Sequence, residues 1–404
     1  MYPKVRFRGF DEPWKTKNVS STFDIITDYV ANGSFESLRK NVVTYKSYNY
    51  AYMIRLQDAS NNWQGPWLYT DKKGYNFLSK SKLFPGDIVM SNVGSVGLFY
   101  LIPDLGKPMT LAPNSILLRS SFENNRFLFS LMNSNLIKTQ IEKEKSPGAQ
   151  PKINKTDFKK IKLVIPQRTE QNVIANLFKV IDSLLSLQQR KLELEKQLEL
   201  YVTDDLLVYE TESKIIPKVR FNSFCQSWKK VKLKEIIGKI QSGNRLPKTN
   251  LEEGSIPYIL AQSKNNGIYM YISKDTLDFN GNALKLFPAD SITFSIDNPQ
   301  AIYYQPEPFY TSNIMRVIHS QHLNKFDYMF IIMNLKKYTK EFDWSRKFSG
   351  PVVSNLQVSI PGNIDERRKI GKLICKIQLH RLLDEKAKRE IIKLKRFLLQ
   401  NLFI

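Results

Sequence analysis

The chain has few of the residues that build metal centres and disulfides. Its two cysteines, Cys225 and Cys375, lie in different sequence contexts, and its three histidines are His319, His322 and His380. No disulfide framework or thiolate metal site can be assembled from that set, and such cysteine usage fits a reducing cytoplasm. His319 and His322 stand three apart with no third ligand at a convincing spacing, so they read as surface residues. Long apolar runs are also missing. The longest, around Tyr328 to Met333, falls far short of the roughly 20 residues that span a bilayer. The opening MYPKVRFRGF lacks the apolar core of a signal peptide. A cytoplasmic protein is expected.

Catalytic signatures are scarce as well. There is no P-loop, and Gly94 and Gly97 in SNVGSVG lack the spacing of a dinucleotide or methyl-donor loop. Asp297-Asn298-Pro299-Gln300 opens like an amino-methyltransferase motif but lacks the proline and aromatic at its third and fourth places. Pro103-Asp104 could open a nuclease motif, yet the nearest match to its second part is the distant Asp157-Phe158-Lys159. Turn and strand-edge readings suit both, and no catalysis is expected of this chain. Acid, finally, is in deficit: 38 acidic residues face 61 basic ones, a net charge of +23 over 404 residues. A polyanion partner follows from that imbalance, with nucleic acid the first choice.

What the chain does have is itself, twice. PKVRFRGFDEPWK at 3–15 returns as PKVRFNSFCQSWK at 217–229, identical at eight of thirteen positions. KLFPGD (Lys82 to Asp87) is answered by KLFPAD (Lys285 to Asp290). Leu163-Val164-Ile165-Pro166 is answered by Val358-Ser359-Ile360-Pro361, and Arg168-Thr169-Glu170 by Ile364-Asp365-Glu366. The offset falls from 214 to 203 to 195, so the halves share a frame around inserts of different length. A period of half a chain means one duplicated unit, not a solenoid.

Beyond Pro166 the spacing predicts one helix to about Leu207, with apolar residues at Ile174, Leu177, Ile181, Leu184, Leu187, Leu194, Leu198 and Tyr201. A second runs from Asp365 to the C-terminus with Ile370, Leu373, Ile377, Ala387, Ile391, Leu394 and Leu398, a register that also puts His380 and Asp384 on the stripe. At 1.5 Å per residue each would be roughly 55 to 60 Å long, and neither stripe is stable without a partner. Five basic and nine acidic residues lie between Gln167 and Glu212, against twelve and five between Asp365 and Ile404. Opposite net charges favour pairing the two helices with each other. The expected seam is Ile174, Leu177, Ile181, Leu184, Leu194 and Leu198 against Ile370, Leu373, Ile377, Ile391, Leu394 and Leu398.

The inserts, about 15–165 and 229–360, alternate short β-like runs with turn signals such as Asn32-Gly33, Lys73-Gly74 and Asn280-Gly281. The expected fold is α+β (mixed α/β), divided as 1–165, 166–212, 213–361 and 362–404. Polar, aromatic and basic clusters fall in the predicted loops. Cations neutralise phosphates, while Asn, Gln and Arg can read base edges with paired atoms. The DNA-binding candidates are Lys46, Lys72, Lys73, Tyr75, Asn92, Ser95 and Lys152 in the first insert. In the second they are Lys264, Asn265, Asn266, Asn298, Gln300, Tyr303, Tyr304, Ser312 and Asn313.

The duplicated Pro3–Phe7 and Pro217–Phe221, the Phe84–Asp87 stretch and the strand–proline–helix joins at Pro166 and Pro361 together resemble the specificity subunit of type I restriction–modification systems. That resemblance covers nearly the whole chain. It implies two target recognition domains, each reading one half of a split double-stranded DNA sequence, and an antiparallel helix pair holding them apart. It implies no catalytic residues and no cofactor on this chain. Two methyltransferase (modification) subunits would bring S-adenosylmethionine, and restriction subunits, joined through them, would bring ATP and Mg-dependent translocation and cleavage. The divergent inserts would make the target asymmetric. Two other readings are a diverged or fused restriction–modification enzyme, and a coiled-coil scaffold with protein-binding inserts.

Overall fold

The computed structural model describes residues 1–403 except 147, 149, 207, 208, 211–214 and 247–250. It divides into two compact units, 1–188 with 387–404, and 189–386. The Leu207 end expected for the first helix and the expected boundary at 212 lie outside the described residues. The helix itself is continuous over Arg168–Leu206, and the second over Ile364–Asn401.

In the first unit, Lys15–Asn18 pairs antiparallel with Lys162–Ile165, Lys15 opposite Ile165. Everything between these strands is the insert. Its larger sheet is antiparallel, in the order Ile25–Asp28, Ser115–Arg119, Ile88–Ser91, Phe99–Leu101. Successive side chains on a strand point to opposite faces. Ile88, Met90, Ile116 and Leu118 accordingly enter one core, with Phe127, Leu128 and Leu131 of helix Asn125–Met132, while Val89 and Leu117 enter a second with Ile54, Met109 and Leu111. A sheet buried on both faces explains the unbroken apolar runs. A smaller sheet supplies the second core, in the order Tyr69–Thr70, Ala51–Ile54, Met109–Leu111, Lys82–Leu83, with Ala51–Ile54 parallel to Met109–Leu111.

The second unit repeats this plan. Lys229–Lys232 pairs with Gln357–Ile360, Lys229 opposite Ile360. A four-stranded sheet follows the order Gln241–Ser242, Met315–Ile318, Ser291–Ser295, Ile302–Gln305. A three-stranded sheet follows the order Ile268–Ile272, Glu253–Ile259, Tyr310–Thr311, again with one parallel pairing. Ile292, Phe294 and Ile318 face one core, and Met315 and Val317 the other.

Each unit is closed by the same lock. Arg6 donates from Nε and Nη2 to the two carboxylate oxygens of Glu170 (both 2.8 Å) and from Nη2 to the Glu12 carbonyl, while the Trp14 indole N–H reaches Glu170 at 3.2 Å. Arg220 binds Glu366 (2.6 and 2.8 Å) and the Gln226 carbonyl, and Trp228 reaches Glu366 at 3.4 Å. Both acids are almost wholly buried, so each needs this bidentate, charge-assisted partner. The hydrogen bond to the carboxylate raises each arginine above its ordinary pKa. The repeated Arg and Trp are therefore the clasp on the helix that begins some 150 residues later.

The long helices run antiparallel within each unit. In the first, Phe178 stacks on Phe403 and Lys395 binds Asp182 at 2.6 Å. In the second, Lys191 binds Asp384 at 2.9 Å and Glu199 takes Gln378 (3.1 Å) and Arg381. The seam is apolar only toward its ends. Ile174, Ile181, Ile370, Ile377 and Leu398 are buried, and Leu177, Leu373 and Ile391 half-buried. Leu184, Leu194, Leu198 and Leu394, expected in the seam, are each about half exposed. Ion pairs hold the middle of the helices together, and among the described residues those four leucines are only about half covered. Among the described residues, no helix is long and apolar enough to cross a membrane.

Candidate nucleic-acid interface

In the first unit the candidates separate into two groups. Tyr45 bridges Tyr69 antiparallel, and its hydroxyl approaches Asp71 at 3.3 Å; Lys46 follows Tyr45 and Lys72 follows Asp71, both exposed. Asp71 caps the helix Lys72–Phe77 by accepting from the Gly74 N–H at 2.7 Å. Gly74 is required there, since a Cβ would lie 2.2 Å from Thr70 Oγ1. Lys72 and Lys73 are thus held outward on the first turn. Tyr75 meets Tyr50 at 5.6 Å, with Lys82 Nζ 4.5 Å over its ring. Asn92, Ser95 and Lys152 belong to another loop, built from the Val93–Lys152 bridge and the bonds Gly94 N to Pro151 O and Ile153 N to Asn92 O. Asn92 Oδ1 is buried there with no hydrogen-bond partner.

In the second unit the candidates converge around 261–266, but several side chains are already engaged. Asn298 donates to Ala261 O (3.0 Å) and accepts from Gln300 N (3.0 Å). The Tyr303 hydroxyl donates to Gln262 O at 3.0 Å. The Tyr304 hydroxyl binds Asp290, and burial followed by that carboxylate pushes its pKa up. Ser312 is buried. These four build the loops, whereas Lys264, Asn265, Asn266, Gln300 and Asn313 remain exposed at their surface. Asn265 and Asn266 both adopt left-handed backbone (φ 50° and 49°), a conformation asparagine tolerates better than most residues.

Sequence reasoning passed over a second set of aromatic residues. Tyr48 is 77% exposed, with Lys107 Nζ 3.2 Å from its ring centroid and Tyr69 at 5.7 Å. Lys107 also lies 5.2 Å from Tyr69 and 5.5 Å from Tyr52, and donates to Asn49 O at 2.5 Å. In the second unit, Tyr269 and Tyr271 alternate outward on strand Ile268–Ile272, and Phe279 stands exposed with the Arg245 guanidinium 5.0 Å from its ring. The alternation in YKSYNYAY and IYMYI was visible, but the cations that meet these rings come from distant sequence.

The sequence matches the family described as the type I restriction modification DNA specificity domain twice, over residues 12–196 and 226–394. The chain belongs to that family. As a specificity subunit it serves DNA recognition in a restriction–modification complex and is not itself the catalyst. It is 21% identical over 299 residues to the type II restriction enzyme BgcI specificity subunit of Heyndrickxia coagulans, covering 73% of this chain and 79% of that protein. The specificity subunit of a type I system from M. genitalium has the same fold, with a TM-score of 0.64 at 18% identity over 100% of this chain and 99% of that one. A chain from a structure describing complex assembly and conformational transition of the type I system aligns with a TM-score of 0.53 at 12% identity, over 97% and 98%. Among the described residues of this specificity subunit, no cluster of three or more His, Cys, Asp or Glu is arranged to hold a metal ion.

Proposed function

We propose that this specificity subunit works in the cytoplasm and reads an asymmetric, two-part DNA target. The insert at 15–165 reads one half-site and that at 229–360 the other. The observation that carries this reading is one lock, Arg–Glu–Trp, closing two inserts whose candidate loops carry different residues held by different contacts. Lys46, Lys72, Lys73, Tyr75, Asn92, Ser95 and Lys152 serve the first half-site. Lys264, Asn265, Asn266, Gln300 and Asn313 serve the second, on loops shaped by Asn298, Tyr303, Tyr304 and Ser312.

The exposed apolar residues on the long helices support docking of two modification subunits. Glu170 and Glu366 are 196 positions apart. The same shift relates Leu187 to Leu383, Leu198 to Leu394 and Tyr201 to Phe397, all about half exposed or more. Equivalent apolar positions on a duplicated chain suit two copies of one partner. Those partners bring S-adenosylmethionine, and restriction subunits join through them with ATP and Mg.

The long helices set the gap between half-sites. Methylation mapping of DNA from cells carrying the complete system should show a two-part, non-palindromic target. Four residues inserted near Glu195 add about 6 Å of helix, close to two base-pair steps of about 3.4 Å. The same half-sites should then be methylated with a longer spacer. An unchanged spacer with both half-sites kept would remove the helices from that role.

A further inference from the structure

The two inserts differ in almost every loop, yet both expose aromatic rings beside cations on the smaller of their two sheets. In the first, Tyr48 lies beside Lys107, and Tyr50 packs on Tyr75, which carries Lys82 over its ring; in the second, Phe279 lies beside Arg245, and Tyr269 and Tyr271 are exposed on strand Ile268–Ile272. Tyr48 carries the most information. A ring that is 77% exposed is usually mobile, but this one is fixed by the Lys107 ammonium 3.2 Å from its centroid and by Tyr69. Lys107 is itself tied to Asn49 O and to three tyrosine rings, and among the described residues no carboxylate pairs with it. Lys46, Lys72 and Lys73 are exposed elsewhere on the same insert. The bases of paired DNA are already stacked on each other, so a fixed ring with most of its surface in water, beside an unneutralised lysine, suits a base turned out of the duplex.

We propose that Tyr48 stacks on a base of the first half-site that is turned out of the duplex, with Lys107 holding its ring in place and the exposed lysines of the insert binding the backbone. This inference rests on the two-part DNA reading above and names the face of the first insert that performs it. Tyr48 loses its ring-to-base contact in Tyr48→Ala and keeps it in Tyr48→Phe. Stacking does not neutralise phosphate, so the salt dependence of binding should not change with either substitution.

The test uses the full chain assembled with its modification partners and duplexes carrying the mapped target, with 2-aminopurine placed in turn along the first half-site. Tyr48→Ala should weaken cognate binding on the order of tenfold and abolish the fluorescence change at one position. Its salt slope should stay that of the parent, and Tyr48→Phe should behave as the parent does. Parental affinity and fluorescence in Tyr48→Ala would overturn the inference, as would equal losses in both variants, which would point to the hydroxyl. In either case, preference of the parent complex for the mapped target over a scrambled duplex leaves the two-part reading standing. Failure of that preference defeats both. Because the side chain is mostly in solvent, truncating it removes no core packing, and thermal melting of each variant checks this.

Discussion

At the start of the first long helix, Gln171 lies wholly buried, donating to Glu123 (2.6 Å) and to Pro166 O, and accepting from Asn124 N. In the second half the same place, 196 positions on, is Arg367. Together with Arg368 it binds Asp327, an acid with no exposure at all (2.7 and 3.1 Å). At this helix position the duplicated frame thus meets the acid with an amide in one half, where Lys17 also binds Glu123 at 2.6 Å, and with arginine in the other. The FP(G/A)D turns diverge in the same way. Asp87 is clasped by Arg119 at 2.6 Å through two bonds, whereas Asp290 receives the Tyr304 hydroxyl. The Arg–Glu–Trp lock, like the Lys–Ile strand pairing at the mouth of each insert, has kept both sequence and contacts. A frame residue is fixed by what it closes, and a neighbouring polar site is free to change as long as its buried atoms stay paired.

If the lock and the paired strands at its mouth are what an insert owes the frame, an insert is portable. Replacing residues 15–165 with the corresponding insert of a related subunit should rewrite one half-site completely and leave the other untouched. A methylome in which both half-sites moved, or neither, would break the comparison at its root. The next largest effect separates amide from ion pair. Asp327→Ala leaves the buried Arg367 without its carboxylate and removes the bond Asp327 accepts from Asn324 N (3.1 Å) at the start of helix Lys325–Glu341, and should destabilise the chain by about 3 to 5 kcal/mol. Gln171→Ala should cost about 1 to 3 kcal/mol. Urea denaturation of the two variants, compared with the parent, gives the ratio directly.

Surface charge should matter less to stability and more to binding. Lys72→Ala with Lys73→Ala should weaken binding to every duplex and flatten the salt dependence by about one to two counterions, whereas Gln300→Ala should reduce discrimination at the second half-site alone. Titration against cognate and scrambled DNA at several salt concentrations distinguishes the two. The smallest effect concerns Glu195, whose counterpart in the second half is Ile391. Burial, and then the hydrogen bond and charge of Asp384, push the Glu195 carboxyl above its ordinary pKa, with Lys191 and His380 opposing. Its contribution to stability is therefore present at acid pH and fades as pH rises through the raised value. Glu195→Gln cannot ionise and should be more stable than the parent at neutral pH by less than about 1 kcal/mol, with the difference closing on acidification. A parent and variant that respond alike to pH would show that the pair is not coupled to folding.

Much of this architecture was legible from residues alone. The repeat named Arg6, Trp14, Arg220 and Trp228 before their partners were known, and the periodicity placed the starts of both long helices, at Arg168 and Ile364, within a residue or two. The apolar stripe carried less meaning than it suggested. A 3-4 spacing states that a face needs cover and cannot say which chain supplies it, so Leu184, Leu194, Leu198 and Leu394 read as seam although they stand half exposed. The loops were harder still. Asn298 has the composition of a base reader, but its donor and acceptor are consumed by Ala261 and Gln300. Tyr48 belongs with Lys107 through a contact spanning 59 residues that no local pattern encodes.

Lys15 sits opposite Ile165, and Lys229 opposite Ile360, so the two ends of each insert are fastened side by side. To the rest of the molecule an insert is a closed loop, and polymer statistics govern what its length costs. Closing a flexible chain grows dearer only with the logarithm of its length, about 0.6 kcal/mol for each doubling. Inserts of 151 and 132 residues, counted between those end pairs, then differ by roughly a tenth of a kcal/mol in closure. Segments can be gained or lost inside the loop at almost no entropic penalty, provided the two paired strands at its mouth remain.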